Sequence, residues 1–513
     1  MKRILSVFVA LLLLTAFTVA YADTDFGVTF GVDAGGLYLD FSTDAKAETA
    51  ATDSALESGA TPVEGSYGLS DEVDETAADS SAVNVSTGVK ELDGVCLVVW
   101  EGSAVQNSGA SVIVARNSYI RGDTTAQTGP LEGNPGNLLV GGSIRTTLAL
   151  GQGQSFYINS TIISRNWAAL STDGAEPALN DDEKELSLYA YGTDAVTQDG
   201  GYGAYSDLFC NLYAYGSRIS AAEIGIISGT YGAVTVGTIA DGEADAELAT
   251  YLTAEDMALR ADKSVGSVIE GGRNAVMLHS VNLPPYWEYE GYSETESPLH
   301  STAFYANASV FRTDLSLDQN IAYDAPKQAY IDHTAGSVIL VKSTNVDMLF
   351  ENCALQADPA GTGYIIQTVY NNDTMFMNAV PDGETYPGLQ IELRGMDVKG
   401  DVAHEDYQRD LYLTLSGTTL IGTVNEYDCD HWNACGAAEG FTDYCLDASY
   451  ETHHGLHLTL TDGAVWNVTA DATLTTLTIG DGCVVNGVLY VDGSVVDAVP
   501  GVYEGVVTLE PAV

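Results

Sequence analysis

From about Leu92 onward, short runs of β-branched, aromatic and aliphatic residues recur, each bounded by Gly, Asn, Asp or Ser. Examples are "ASVIVARNSYI", "SFYINSTI", "LFCNLYAYGSRI", "GSVILVKSTNV", "LYLTLSGTTL" and "ATLTTLTI". Alternation of period two, with turn residues at intervals of roughly 8–12 positions, is the signature of strands. Helical periodicity is confined to one good stretch, "AELATYLTAEDMALRAD" over 246–262. Such a chain is all-β.

The runs also resemble one another. Asn117-Ser118-Tyr119-Ile120 and Asn159-Ser160-Thr161-Ile162 share N-S-x-I at an interval of 42 residues. Gly216-Ser217-Arg218-Ile219 and Asn352-Cys353-Ala354-Leu355 are looser copies. The interval reads as two coils of about 21 residues in a parallel β-helix, where equivalent residues stack, aliphatics inward and Asn or Ser at the corners. The competing architecture, a β-sandwich array, predicts two-residue hairpin turns and separable domains, and neither is seen.

The first residues read as a secretory signal peptide over 1–22: Lys2 and Arg3, an apolar run from Ile4 to Val19, then Ala20-Tyr21-Ala22. Residues 23–90 are acidic and rich in Ala, Ser and Thr, with too few large apolar side chains over 43–82 to offset the entropy of ordering. The expected solenoid occupies 91–513. The formal net charge is −52, and removing Lys2 and Arg3 makes it more negative. Such a field repels nucleic acid and anionic membrane surfaces. It is compatible with loosely bound Ca²⁺, and no other cofactor is expected. No membrane insertion of the mature chain is expected.

The stretch "HLTLTDGAVWNVTADATLTTLTIGDGCVVNGVLYVDG" over 457–493 resembles the passengers of autotransporters and other adhesin-like β-helix proteins of bacteria, in which G-x-x-W-x-V-T and T-L-x-x-L-x-I recur as coils. The resemblance covers about the last tenth of the chain well and the rest by texture. It implies a right-handed parallel β-helix solenoid, secreted or at the cell surface.

Candidate chemistry is sparse. Polysaccharide-cleaving β-helix enzymes of the galacturonase type carry N-T-D, D-D, G-H-G and R-I-K. Here Asp181-Asp182 supplies a D-D pair, "STD" over 171–173 has Ser in place of Asn, "THHG" over 452–455 is not G-H-G, and R-I-K is missing. Lyase chemistry needs a basic side chain near acids; only 19 Lys and Arg are present, among which Arg145, Arg165 and Arg218 accompany strand runs. "NEYDCDHWNACG" and "ETHHGLH" concentrate Asp428, Asp430, His431, His453, His454 and His457 in a spacing that fits neither a zinc finger nor an EF-hand. Seven cysteines in an exported chain is an odd count, and Cys429, Cys435 and Cys445 are the disulfide candidates. Cys96 and Cys483 sit in strand-like runs as small hydrophobes.

"PPYWEYEGY" over 284–292 gathers Tyr286, Trp287, Tyr289 and Tyr292 without apolar periodicity, the composition of a loop that stacks on sugars. Trp167 follows a strand run and is expected to pack. Arg121-Gly122-Asp123 forms the tripeptide that integrins read, although Gly-Asp is also ordinary turn chemistry. The expectation is a non-enzymatic extracellular or surface β-helix for adhesion, binding glycans or cell-surface proteins. The alternative is a polysaccharide-active lyase or glycoside hydrolase on the same fold.

Overall fold

The computed structural model describes residues 27–33, 36–42, 83–99, 103–122, 145–165, 167–173, 186–207, 209–229, 232–279, 301–318, 331–369, 388–406, 409–427 and 455–512. Apart from a hairpin of Gly27–Asp33 and Gly36–Ser42, the described chain winds as a parallel β-helix of three sheets. Each coil contributes one strand to each. The first coil runs Val83–Val85, Val89–Asp93 and Cys96–Val99, and the second Val105–Asn107, Val112–Arg116 and Tyr119–Gly122. These strands define sheets one, two and three, and the ladder pairings along them are parallel up to Val424–Glu426, Leu456–Thr461 and Val465–Asn467, with sheet three broken once, between Ala354–Gln356 and Asp397–Lys399. Ala472–Ile479 and Val484–Val491 continue sheets two and three in parallel, and antiparallel Gly501–Pro511 then closes that end. Hairpin-built sandwiches are thereby excluded for the described residues.

The N-S-x-I motif is the corner between sheets two and three. Its Asn is left-handed, at φ 50° for Asn117, 49° for Asn159 and 52° for Asn352, and Gly192, Gly216, Gly395 and Gly417 take the same conformation in other coils. Asn and Gly tolerate that region best, which explains the residue choice. The following hydroxyl forms a ladder. The Ser118 N–H donates to Ser160 Oγ at 3.2 Å, Thr193 to Ser217 Oγ at 3.0 Å, Ser217 to Ser267 Oγ at 3.1 Å and Ser267 to Ser309 Oγ at 3.1 Å. Cys353 takes the same slot, its Sγ donating to the Glu351 carbonyl at 3.3 Å. Burial pushes its thiol up to about 11, so it remains a neutral donor at ordinary pH. The final position of the motif points inward: Leu97, Ile120, Ile162, Ala195, Ile219, Ile269, Phe311 and Leu355 stack in one buried column.

One expectation is corrected here. Thr161 pairs directly with Tyr119, so the two N-S-x-I copies sit in neighbouring coils. The 42-residue interval is a single coil lengthened by the segment between Gly122 and Thr147. The expected helix over 246–262 is also shorter than its pattern. It breaks into a 3₁₀ turn, Leu248–Thr250, and a helix, Ala254–Leu259. Thr253 is responsible: its hydroxyl accepts from the Asp256 N–H at 3.1 Å, while the Asp256 carboxylate accepts from the Thr253 N–H at 2.8 Å. This reciprocal cap starts a new helix where periodicity alone continues an old one. Together with Ile239–Ala244, the helical insertion covers sheet two over the Phe156–Tyr189–Tyr213 stack, with Tyr251 4.4 Å from Phe156. Beneath it the Tyr215 hydroxyl donates to Asp245 at 2.9 Å, and burial holds that phenol far above its ordinary pKa.

Replacing Ile219 by Ala, in the middle of the stacked column, is expected to destabilise the solenoid by about 2–5 kcal/mol. Ser217→Ala is expected to cost about 1–3 kcal/mol by removing the acceptor of the buried Thr193 N–H and the hydroxyl that donates to the Ala190 and Tyr215 carbonyls. Urea midpoints of the two variants check both, and equal midpoints to the parent would refute the ladder's role.

Candidate functional site

The three sheets are not equivalent. The corner between sheets two and three is a tight turn in coil after coil and is interrupted by a long insertion at 238–267. The long segments 174–186, 280–301, 370–388 and 427–455 instead follow strands of sheet one, and 123–146 and 314–338 lead into its strands. Six long segments therefore join the chain at strand ends of a single sheet. Burial follows the same division. Sheet-one strands such as Ile224–Ser228, Ile339–Lys342 and Tyr364–Val369 are buried on both sides, whereas Leu389–Arg394, Leu411–Ser416 and Leu456–Thr461 of sheet two alternate buried with more exposed residues.

Strand alternation places Gln367 and Glu405 on the outer side of sheet one, and Thr368 and His404 on the inner side. The outer column carrying Glu405 also contains Val369, Lys342 and His279 in successive coils. A helical turn over 331–334, within the segment that precedes Ile339, brings His333 onto this column. His333 Nε2 lies 2.6 Å from Glu405 Oε2; the carboxylate side chain is fully buried and the imidazole is 10% exposed. The Gln367 amide donates to the His333 carbonyl at 3.3 Å and to Glu405 at 3.5 Å, and its oxygen accepts from Ser337 at 2.5 Å. Next to Glu405, Asp406 accepts from Arg409 at 2.9 Å, with both side chains at 0% exposure. On the inner side Thr368 Oγ1 and His404 Nδ1 are 2.7 Å apart.

This cluster is held from several directions. The Asn274 amide donates to the carbonyls of Thr334 and Ser337 at 3.0 and 2.8 Å. Arg273 grips Asp318 at 2.9 and 3.0 Å. The segment carrying His333 is therefore fixed to the solenoid at its beginning and its end. Chemically, an imidazole hydrogen-bonded to a buried carboxylate is an oriented proton carrier, and the same bond is a clamp that seats the insertion. A buried charge left without its partner costs several kcal/mol, so the pairing also dictates one way of docking.

The arginines singled out by sequence are engaged. Arg218 lies 3.3 Å from Glu270, which Arg312 meets at 2.6 Å, Arg165 lies 3.0 Å from Asp199, and Arg145 bonds Asp173, the acid of "STD". His457 stacks on Tyr412 with ring centroids 4.7 Å apart, and among the described residues no cluster of three His, Cys, Asp or Glu could hold a metal ion. Tyr286, Trp287, Tyr289 and Tyr292 lie outside the described residues, as do Cys429, Cys435, Cys445, Asp181 and Asp182. The segments holding them all attach beside sheet one. Arg121 and Gly122 occupy the end of a strand, with Arg121 only 2% exposed, while Asp123 is outside the described residues.

Sequence reasoning missed His333, Gln367, Glu405, Asp406 and Arg409. One signal was available: "DVAHED" sets polar residues at consecutive strand positions, so at least one must face inward. The absence of alternation in "IGIIS" and "ILVK" likewise marks a sheet covered on both sides. Compared with family models, curated proteins and solved structures, the chain matches none.

Arg409→Met should destabilise the protein by about 3–5 kcal/mol by stranding Asp406, read as a lower thermal midpoint. Asp123→Glu should leave attachment of integrin-bearing cells unchanged, because the neighbouring Arg121 is buried; loss of attachment in that variant would revive a receptor-binding role.

Proposed function

We propose that this chain is a non-enzymatic extracellular display solenoid whose sheet-one face binds glycans or cell-surface proteins. The observation that carries the reading is the gathering of six long segments at the two ends of one sheet, over a core of stacked residues. A parallel solenoid supplies a stiff frame that contacts only its neighbours along the axis, and such folds carry recognition on side excursions. The segment 280–301, with its Tyr and Trp residues, and the Cys-bearing segment 427–455 both belong to that set. The signal-like start and the net charge of −52 support export to the medium or the cell surface and argue against nucleic acid as partner. The likeness to autotransporter passengers over 457–493 points the same way, and any Ca²⁺ is held loosely by the acidic surface.

A second reading, a polysaccharide-active enzyme on this frame, draws on the His333–Glu405 pair. Incubating the purified chain with plant and host polysaccharides, and scoring both retention and new reducing ends, separates the two. Retention without reducing ends is expected. A variant with 280–301 replaced by a short turn like that over 151–153 is expected to keep its strand circular-dichroism signal and lose most retention. Release of reducing ends would sink the binding reading in favour of the enzyme.

A further inference from the structure

The hairpin at the start of the chain is amphipathic by its register. Gly27–Asp33 and Gly36–Ser42 pair antiparallel, from Gly27 against Ser42 to Asp33 against Gly36. Strand alternation puts Val28, Phe30 and Val32 on one face, and the pairing sets Phe41, Leu39 and Leu37 beside them on that same face. Thr29, Gly31, Tyr38 and Asp40 belong to the other face. A two-stranded hairpin is marginal in water by itself, so one with such a face needs a surface to bury it against.

The solenoid has an end of the complementary kind. At its far end the chain closes itself: in antiparallel Gly501–Pro511, Val507 lies opposite Leu474 and Leu509 opposite Ala472, all four at most 2% exposed. The first coil, by contrast, has a described ladder neighbour on one side only. A terminal coil with nothing over it shows its inward side chains to water. Yet Val83, Leu92 and Leu97 of this coil are 5%, 2% and 0% exposed. Lys90, in the inward register of Ile113, is exposed. The end of the core is thus shut around Leu92 and Leu97 and open at Lys90. Among the described residues, the hairpin is the one element outside the coils and their insertions.

We propose that this hairpin is the amino-terminal cap of the solenoid, its apolar face seated on the end of the first coil over Leu92 and Leu97. It packs by its face, since its two strands form a sheet of their own. The occupant is the chain's own hairpin and not that of a second copy, because two chains of net charge −52 repel each other. The connection over 43–82 reaches the coil end with slack, at about 3.3 Å per extended residue, and tethering favours the internal contact. Seated there, the cap keeps the end of the core from joining that of another copy.

Hydrogen exchange of the full chain, followed by mass spectrometry, tests the cap. Phe30→Asp combined with Leu39→Asp should make the amides over 83–99 exchange about tenfold faster or more, while those over 456–511 keep the parent's rate. Tyr38→Ser, on the other face, should change neither. Should the double variant not fold, Leu39→Ala is expected to speed exchange over 83–99 alone. Rates over 83–99 within about twofold of the parent in the folded variant would overturn the cap. Equal acceleration by Tyr38→Ser would overturn the face assigned to it. Light scattering should find the parent monomeric, with 83–99 protected at every dilution. A parent dimer that loses this protection on dilution would overturn the internal seat and give the hairpin's face to a second copy.

Discussion

The register between coils governs everything else in this molecule. A parallel solenoid offers no hairpin turn to fix how one strand sits on the next, and a slip of one residue would turn every side chain to the other face. Here the corner between sheets two and three supplies the fixed point. A left-handed Asn or Gly turns the chain, the next hydroxyl bonds to the coil beside it, and the third residue after the turn enters the core. Asn, Ser and Ile in N-S-x-I thus have three separate physical jobs. Cys353 and Ala308 show the tolerance of the scheme: a thiol can replace the hydroxyl, and even Ala can be held left-handed when its neighbours in the stack enforce it.

With register fixed, the outer surfaces can diverge. Sheet two is covered by a helical insertion over one stretch and alternates toward solvent over another. Sheet one is buried on its outer side and receives the long excursions at both of its ends. Parallel strands covered on both faces lose the polar half of their alternation, so the composition of a strand here records what lies over it.

The buried charges of sheet one follow from that covering. Glu405, Asp406 and Arg409 would be costly in a dry environment alone, and each gains a partner from the segment above it or the turn beside it. The His333–Glu405 bond therefore links an insertion to the frame. At the other end of the same sheet the balance is incomplete. Trp167 is strained, and its N–H is unmet.

The sequence alone determined the class of fold, because period-two alternation punctuated by Gly, Asn and Ser suits no other element, and it determined the corner, because the left-handed site and the hydroxyl ladder restrict residue choice. It also marked Arg145 and Trp167 as companions of strand runs, although not as neighbours. Coil assignment was decided only in three dimensions: an insertion inside one coil and the sum of two plain coils give the same interval in the chain. The cluster of His333, Gln367 and Glu405 was decided there too. Its members are drawn from three different coils, and only stacking brings them within hydrogen-bonding reach.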